Sequence, residues 1–299
     1  VHVVLRREHV GNVGALIFPS PVDGRIMFVL PWEPFTYVGT TDTDFRGSPW
    51  EAGADADDVD YLLASVNGLF PDARLTRADV LSTWTGVRPL LAPRTTGDGI
   101  TASATSREHE IWRDRGGLVN VAGGKLTTYR VMAAQTVDFV GRVTGREREL
   151  SAFRGFTEDL PLAGAPGEEW PAFLERIRAA AAEVGIPEAT AVHLARAYGE
   201  DAEEVFAVVG KTPESGAPLV RGLPYLWAEV EHAVACEMAM TLEDVLRRRL
   251  HLFHQAEDGG VSVARMVAER MAALPGIGWG EAEITGQVER YRAAVEATR

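Results

Sequence analysis

The spacing of apolar positions changes along this chain. Up to Asp44, short runs rich in β-branched and aromatic residues (Val1–Leu5, Ala15–Phe18, Arg25–Leu30 and Phe35–Gly39) are separated by Pro, Gly and Asp, the pattern of an antiparallel meander. The acidic segment Asp55–Asp60 opens a helix whose apolar face is Val59, Leu62, Leu63, Val66 and Leu69. Leu81–Pro89 and Ile100–Ser103 return to strand character. Leu118–Ala122 is an apolar strand that runs into Gly123-Gly124, with Thr127 and Thr128 as N-cap candidates for a helix reaching about Val140. From 147 to 167 Gly, Pro and Ala take over, which reads as a linker. Beyond it Trp170–Val184, Glu188–Tyr198, Ala202–Val209, Leu226–Met240, Leu242–Leu250, Ser262–Leu274 and Gly280–Thr298 all carry the i, i+3, i+4 apolar spacing of helices.

The predicted fold class is α+β in two domains: a strand-rich part over 1–146, the linker 147–167, and an all-helical part over 168–299. A length of 299 residues with 46% hydrophobic content supports one large core or two modest ones. Residues 1–150 carry 16 basic and 19 acidic groups and residues 151–299 carry 14 and 24, so the net charge of −13 divides into −3 and −10. A second half that acidic is a poor match for nucleic acid or an anionic membrane surface and reads as a solubilising surface. The single cysteine, Cys236, excludes an internal disulfide framework and a multi-cysteine zinc site, and suits a reducing compartment. No charged-then-apolar leader and no apolar run of roughly 18–20 residues occurs, so a soluble chain is expected. Val1 already lies in strand-like sequence, and the chain is expected to be the end of a longer protein.

The most informative stretch is Leu118–Arg130. A strand, a glycine turn and a helix start aim backbone N–H groups and the positive end of a helix dipole at whatever lies above the turn, and Lys125 adds a full charge there. An electron-rich or anionic group is the natural occupant, with a solvated lysine as the plain alternative. A phosphate loop is excluded because Val119 and Leu126 stand where it needs Gly and Ser/Thr, and two adjacent glycines do not make G-x-G-x-x-G. Lys125 and Lys211 are the chain's only lysines among many arginines, which marks Lys125 as a place for a compact point charge. His2, among Val residues, is either a core histidine or a titrating group. Arg88, before Pro89, lies at a strand end, and Arg107 could simply pair with Glu108. His232 and Cys236 stand four apart on a helix and His251 and His254 three apart, but no carboxylate at motif spacing accompanies them, so no metal site is assigned.

These fragments occur together and in order. Val1-His2-Val3-Val4, Val29-Leu30-Pro31-Trp32, Gly39-Thr40-Thr41-Asp42, Thr85-Gly86-Val87-Arg88-Pro89-Leu90, Ser106-Arg107-Glu108-His109-Glu110 and Gly123-Gly124-Lys125-Leu126-Thr127-Thr128-Tyr129-Arg130 resemble the C-terminal part of the FAD-dependent, aerobic, quinone-linked glycerol-3-phosphate dehydrogenases. In the second half Tyr198-Gly199, Pro224-Tyr225-Leu226 and the segments Glu229–Ala233 and Asp244–Arg249 are similar to that family's helical C-terminal domain.

The resemblance implies a strand-rich flavoenzyme substrate domain followed by an all-α domain, and the oxidation of glycerol 3-phosphate to dihydroxyacetone phosphate by hydride transfer to FAD, with electrons passed to a quinone. It places Gly123, Gly124, Lys125, Leu126 and Thr127 against the flavin ring, assigns Arg88, Arg107 and Lys125 to the substrate phosphate, and makes His2 the base that takes the hydroxyl proton. It also implies a homo-oligomeric cytoplasmic enzyme that meets the inner face of the membrane peripherally. The family's N-terminal Rossmann fingerprint, a strand followed by G-x-G-x-x-G, is absent from these residues, so the 299 residues alone are expected to be inactive. Three alternatives stand beside this reading: glycerol-3-phosphate oxidase, an amine-oxidising flavoenzyme of the same superfamily, and a helical interaction module without chemistry.

Overall fold

A computed structural model describes residues 1–88, 90–91, 108–151 and 155–299. Contacts divide the chain into two compact units, the first made of Val1–Thr41, Gly53–Thr85 and Ala163–Arg299, the second of Asp42–Ala52 and Gly86–Leu162. The elements begin with β1 (His2–Arg6), α1 (Arg7–Val10), β2 (Leu16–Pro19), β3 (Ile26–Trp32), β4 (Phe35–Gly39), α2 (Ala56–Leu69) and β5 (Val80–Trp84). Then come β6 (Glu110–Arg113), β7 (Val119–Ala122), α3 (Tyr129–Thr144) and α4 (Glu147–Leu150). The helical part holds α5 (Trp170–Glu183), α6 (Glu188–Tyr198), α7 (Ala202–Lys211), α8 (Trp227–Ala235), a π-helical turn (Asp244–Arg249), α9 (Leu252–Gln255), α10 (Val261–Ala272) and α11 (Glu281–Glu296).

The five strands of the first unit form one antiparallel sheet in the order β2-β3-β4-β1-β5. Only β2-β3-β4 is the expected meander. β1 lies inside the sheet because Val3, Val4 and Leu5 are fully buried and need a neighbour on each side. One face, with Val3, Leu5, Met27, Val29 and Val38, packs on Leu62, Leu63 and Val66 of α2. Leu69, expected on that face, stays 38% exposed at the helix end. α2 starts at Asp55, whose Oδ1 accepts from Asp58 N–H at 2.8 Å while Asp58 reaches back to Asp55 N–H at 3.4 Å, a reciprocal cap of about 1 kcal/mol.

The helical segment belongs to the same unit as the sheet, so the units do not follow the expected 1–146 and 168–299 division. Strand β5 is the link: Ser82 Oγ donates to His254 O at 3.0 Å, and Thr83 N–H and Oγ1 donate to Thr298 O at 2.9 and 3.0 Å. Two apolar clusters fill the helical part, one around Phe173, Ile177, Leu194 and Val205, the other around Val230, Leu246, Phe253, Val267 and Tyr291. The helix expected over Leu226–Met240 ends at Ala235, and Met238 takes a left-handed φ of 55° that a helix cannot hold. The stretch expected as a linker opens with α4.

In the second unit β6 and β7 form a two-stranded hairpin, and α3 and α4 follow. Its apolar side chains are poorly covered among the described residues: Leu118, Leu126, Tyr129, Val137, Phe156 and Leu162 are all exposed. Ile100–Ser103, expected as a strand, falls outside the described residues.

Candidate active site

His2 opens β1, opposite Gly39 of β4 on one side and Trp84 of β5 on the other. Strand alternation puts His2, Tyr37 and Trp84 on the same face. The imidazole stands 5.2 Å from the Trp84 ring and 6.3 Å edge-on from Tyr37. A Cβ on Gly39 would overlap this imidazole, so only glycine lets the ring lie across β4. Half-buried and held by rings on two sides, His2 keeps a fixed plane.

The same aromatic layer continues through Trp32, whose ring is 6.0 Å from Trp84 and 5.4 Å from His251, and Trp84 stands 5.4 Å from His254. The pair at 251 and 254 packs against these indoles. Burial lowers both imidazoles' proton affinity; the charges of Arg247, His251 and Arg299 push His254 further, down to about 4.

In the second unit the chain leaves β7 through Gly123 and Gly124, at φ 79° and 80°. A Cβ on Gly123 would lie 2.5 Å from Glu108 O, so that position demands glycine for conformation and for space, while Gly124, where a Cβ would run into the flexible end of Met132, demands it for its left-handed φ. A 3₁₀ turn over Leu126–Thr128 then leads into α3. Thr128 does not cap α3 as its sequence position predicts. Its hydroxyl donates to Lys125 O at 2.9 Å and accepts from Lys125 N–H at 3.4 Å, closing the turn on itself. Lys125, Leu126 and Thr127 are all exposed, Leu126 to 88%.

Arg88, also in the second unit, forms an ion pair with Asp42. Asp42 is the last residue of the Gly39–Asp42 fragment, and its role as the partner that orients a guanidinium is not visible from spacing. Arg107 lies outside the described residues. The structure thus gathers Gly123, Gly124, Lys125, Leu126 and Thr127 at one turn and pairs Arg88 with Asp42, while His2 belongs to the first unit.

Sequence reading missed a buried charge relay in the first unit. Glu33, at φ 57° in the turn between β3 and β4, meets His193 Nδ1 at 3.0 Å, and His193 Nε2 lies 3.4 Å from Glu229 Oε1. Glu229 is fully buried and also accepts from Tyr198 OH at 2.9 Å and Leu226 N–H at 2.6 Å. Burial alone would lower the His193 pKa, but the hydrogen bonds and charges of Glu229 and Glu33 overcome it and raise it to about 9. No spacing rule connects residues 33, 193 and 229.

Residues 1–137 match the family profile described as FAD dependent oxidoreductase, and residues 156–284 match the C-terminal domain of alpha-glycerophosphate oxidase. Glycerol-3-phosphate dehydrogenase 2 of Mycobacterium tuberculosis is 36% identical over 297 residues, covering 99% of this chain and 48% of that protein. The chain belongs to the FAD-dependent glycerol-3-phosphate dehydrogenase family. Aerobic glycerol-3-phosphate dehydrogenase of Staphylococcus saprophyticus is 32% identical over 92% of the chain and 49% of its own length. The X-ray structure of the glycerol-3-phosphate dehydrogenase from Bacillus halodurans complexed with FAD superposes with a TM-score of 0.78 at 28% identity, over 99% of this chain and 56% of that one. The chain spans about half the length of the curated relatives it matches.

Proposed function

We propose that this chain forms the substrate-facing part of an enzyme that oxidises sn-glycerol 3-phosphate to dihydroxyacetone phosphate, with FAD as cofactor and a quinone as the final electron acceptor. The observation that carries this reading is the Gly123–Thr127 turn, where two left-handed glycines deliver Lys125 and Leu126 to a helix start, in a chain aligned over 99% of its length with a glycerol-3-phosphate dehydrogenase. The turn fits a flavin ring. Backbone in place of side chains at the corner permits close approach, the helix start favours negative charge, and exposed Leu126 offers an apolar surface. Gly124, Lys125, Leu126 and Thr127 would hold the ring, and FAD bound there would supply the hydride acceptor.

The chain's own groups supply the rest. His2 takes the proton of the hydroxyl on the carbon that loses hydride, since imidazole titrates near working pH and Gly39, Tyr37 and Trp84 fix its plane. Arg88, oriented by Asp42, binds phosphate oxygens with its planar fork, and Lys125 adds a point charge. His2→Asn in the flavin-loaded enzyme tests the assignment: turnover should fall at least about a hundredfold with little change in substrate affinity. Unchanged turnover per folded molecule, accompanied by a lower Tm, would reduce His2 to a packing residue.

A second reading, oxygen in place of quinone, draws support from the match of residues 156–284 to the alpha-glycerophosphate oxidase domain. Comparing oxygen consumption with quinone reduction under glycerol 3-phosphate separates the two.

A further inference from the structure

We propose that Glu204, His232 and Cys236 form a zinc site joining α7 to α8, independent of flavin chemistry. Cys236 closes the end of α8 by donating its N–H to His232 O at 2.8 Å, so His232 and Cys236 project from one helix face. Glu204 comes from the first turn of α7. The carboxylate, imidazole and thiol ligand atoms lie within 4.8 Å of one another. Tetrahedral zinc with bonds of about 2.0–2.3 Å separates its ligand atoms by about 3.4–3.6 Å. His232 Nδ1 and Glu204 Oε2 already stand 3.6 Å apart, and the remaining gap closes by rotation of Glu204 and Cys236, both exposed.

A second observation points to a missing ligand. His232 is only 4% exposed, yet its Nδ1 has no hydrogen-bond partner among the described residues. A buried, unmatched ring nitrogen is unfavourable unless something occupies it. It lines a cavity of about 390 Å³ shared with Tyr198, Asp201, Glu204, Cys236 and Glu237. The surroundings are strongly acidic. Asp201, Glu204 and Glu237 all line the cavity, a clustering of negative charge that a dication relieves. One nitrogen, one sulfur and one oxygen suit zinc and do not suit magnesium or calcium. Binding replaces the S–H bond by a Zn–S bond and releases that proton to solvent.

The 299-residue chain, stripped with a chelator, is titrated with Zn²⁺ and separately with Co²⁺. The expected result is one equivalent of Zn²⁺ bound with proton release, a Tm raised by the metal, and a thiolate-to-cobalt charge-transfer band. Cys236→Ser should abolish that band, and Cys236→Ser and Glu204→Gln should each weaken Zn²⁺ binding at least about tenfold. Both side chains are exposed, so both variants should melt like the wild-type chain in metal-free buffer. Absence of stoichiometric binding, absence of the band, or Zn²⁺ affinity unchanged in either variant would overturn the site.

Discussion

Raising the pH should dismantle the Glu33–His193–Glu229 relay, and the size of the effect follows from its burial. His193 is 8% exposed and its pKa rises from 6.5 to about 9, which at about 1.4 kcal/mol per pH unit means that the fold favours the charged imidazolium by roughly 3 kcal/mol. Because the folded pKa lies above the unfolded one, this stability is fully present below about pH 6.5 and is lost as pH climbs through about 9. His193→Gln removes the charge and leaves Glu229 buried without its cation, a loss of roughly 3–5 kcal/mol at about pH 6. By about pH 10 the wild-type chain has lost the same advantage, so the gap between the two proteins should narrow by roughly 3 kcal/mol. Denaturant midpoints for both chains across this range, read by tryptophan fluorescence, measure that gap directly. A gap that stays constant with pH would refute the charged relay and leave only a packing contact.

His254 should behave in the opposite sense. Its folded pKa of about 4 lies below the unfolded value of 6.5, so its contribution, roughly 3 kcal/mol, is present above about pH 6.5 and lost as pH falls through about 4; an NMR titration of this imidazole near 6.5 would contradict it. Arg88→Ala in the flavin-loaded enzyme should lower kcat/KM for glycerol 3-phosphate by roughly 2–4 kcal/mol while sparing glycerol, and equal losses for both substrates would remove Arg88 from the phosphate. Gly39→Ala drives a methyl group into the His2 ring and should cost roughly 1–3 kcal/mol of stability together with most of the turnover; a variant with normal Tm and normal kcat would show that the ring has room to move.

Where one element sufficed, the sequence was a good guide. The i, i+3, i+4 stripes placed α5, α6 and α10 to within a residue or two, because a helix writes its buried face into its own residues. Pairing between distant strands leaves no such record. Nothing in Val1–Leu5 announces that it lies between β4 and β5, and the four-residue β6 is too short for its alternation to register. The Gly123–Thr127 turn was legible because adjacent glycines before a lysine leave few backbone options. Asp42 beside Arg88, Glu229 between His193 and Tyr198, and Glu204 facing His232 were not, since each partner comes from a separate element. Glu231 likewise pairs with Arg270 and accepts from Ser215 Oγ at 3.0 Å, partners from two other elements.

The sealing of β5 by Thr298 sets a timetable. During synthesis the five strands of this sheet leave the ribosome before the helical segment, and the outer edge of β5 receives its partner 215 residues later. At about 5–20 residues per second the Thr83 N–H on that edge waits about 10–40 s for its acceptor. Through that interval the nascent sheet is a template for any strand that drifts near. The segment around Thr298 acts as the last stitch of a seam begun at His2, and production in cells should depend on chaperone supply more steeply than the stability of the finished chain suggests.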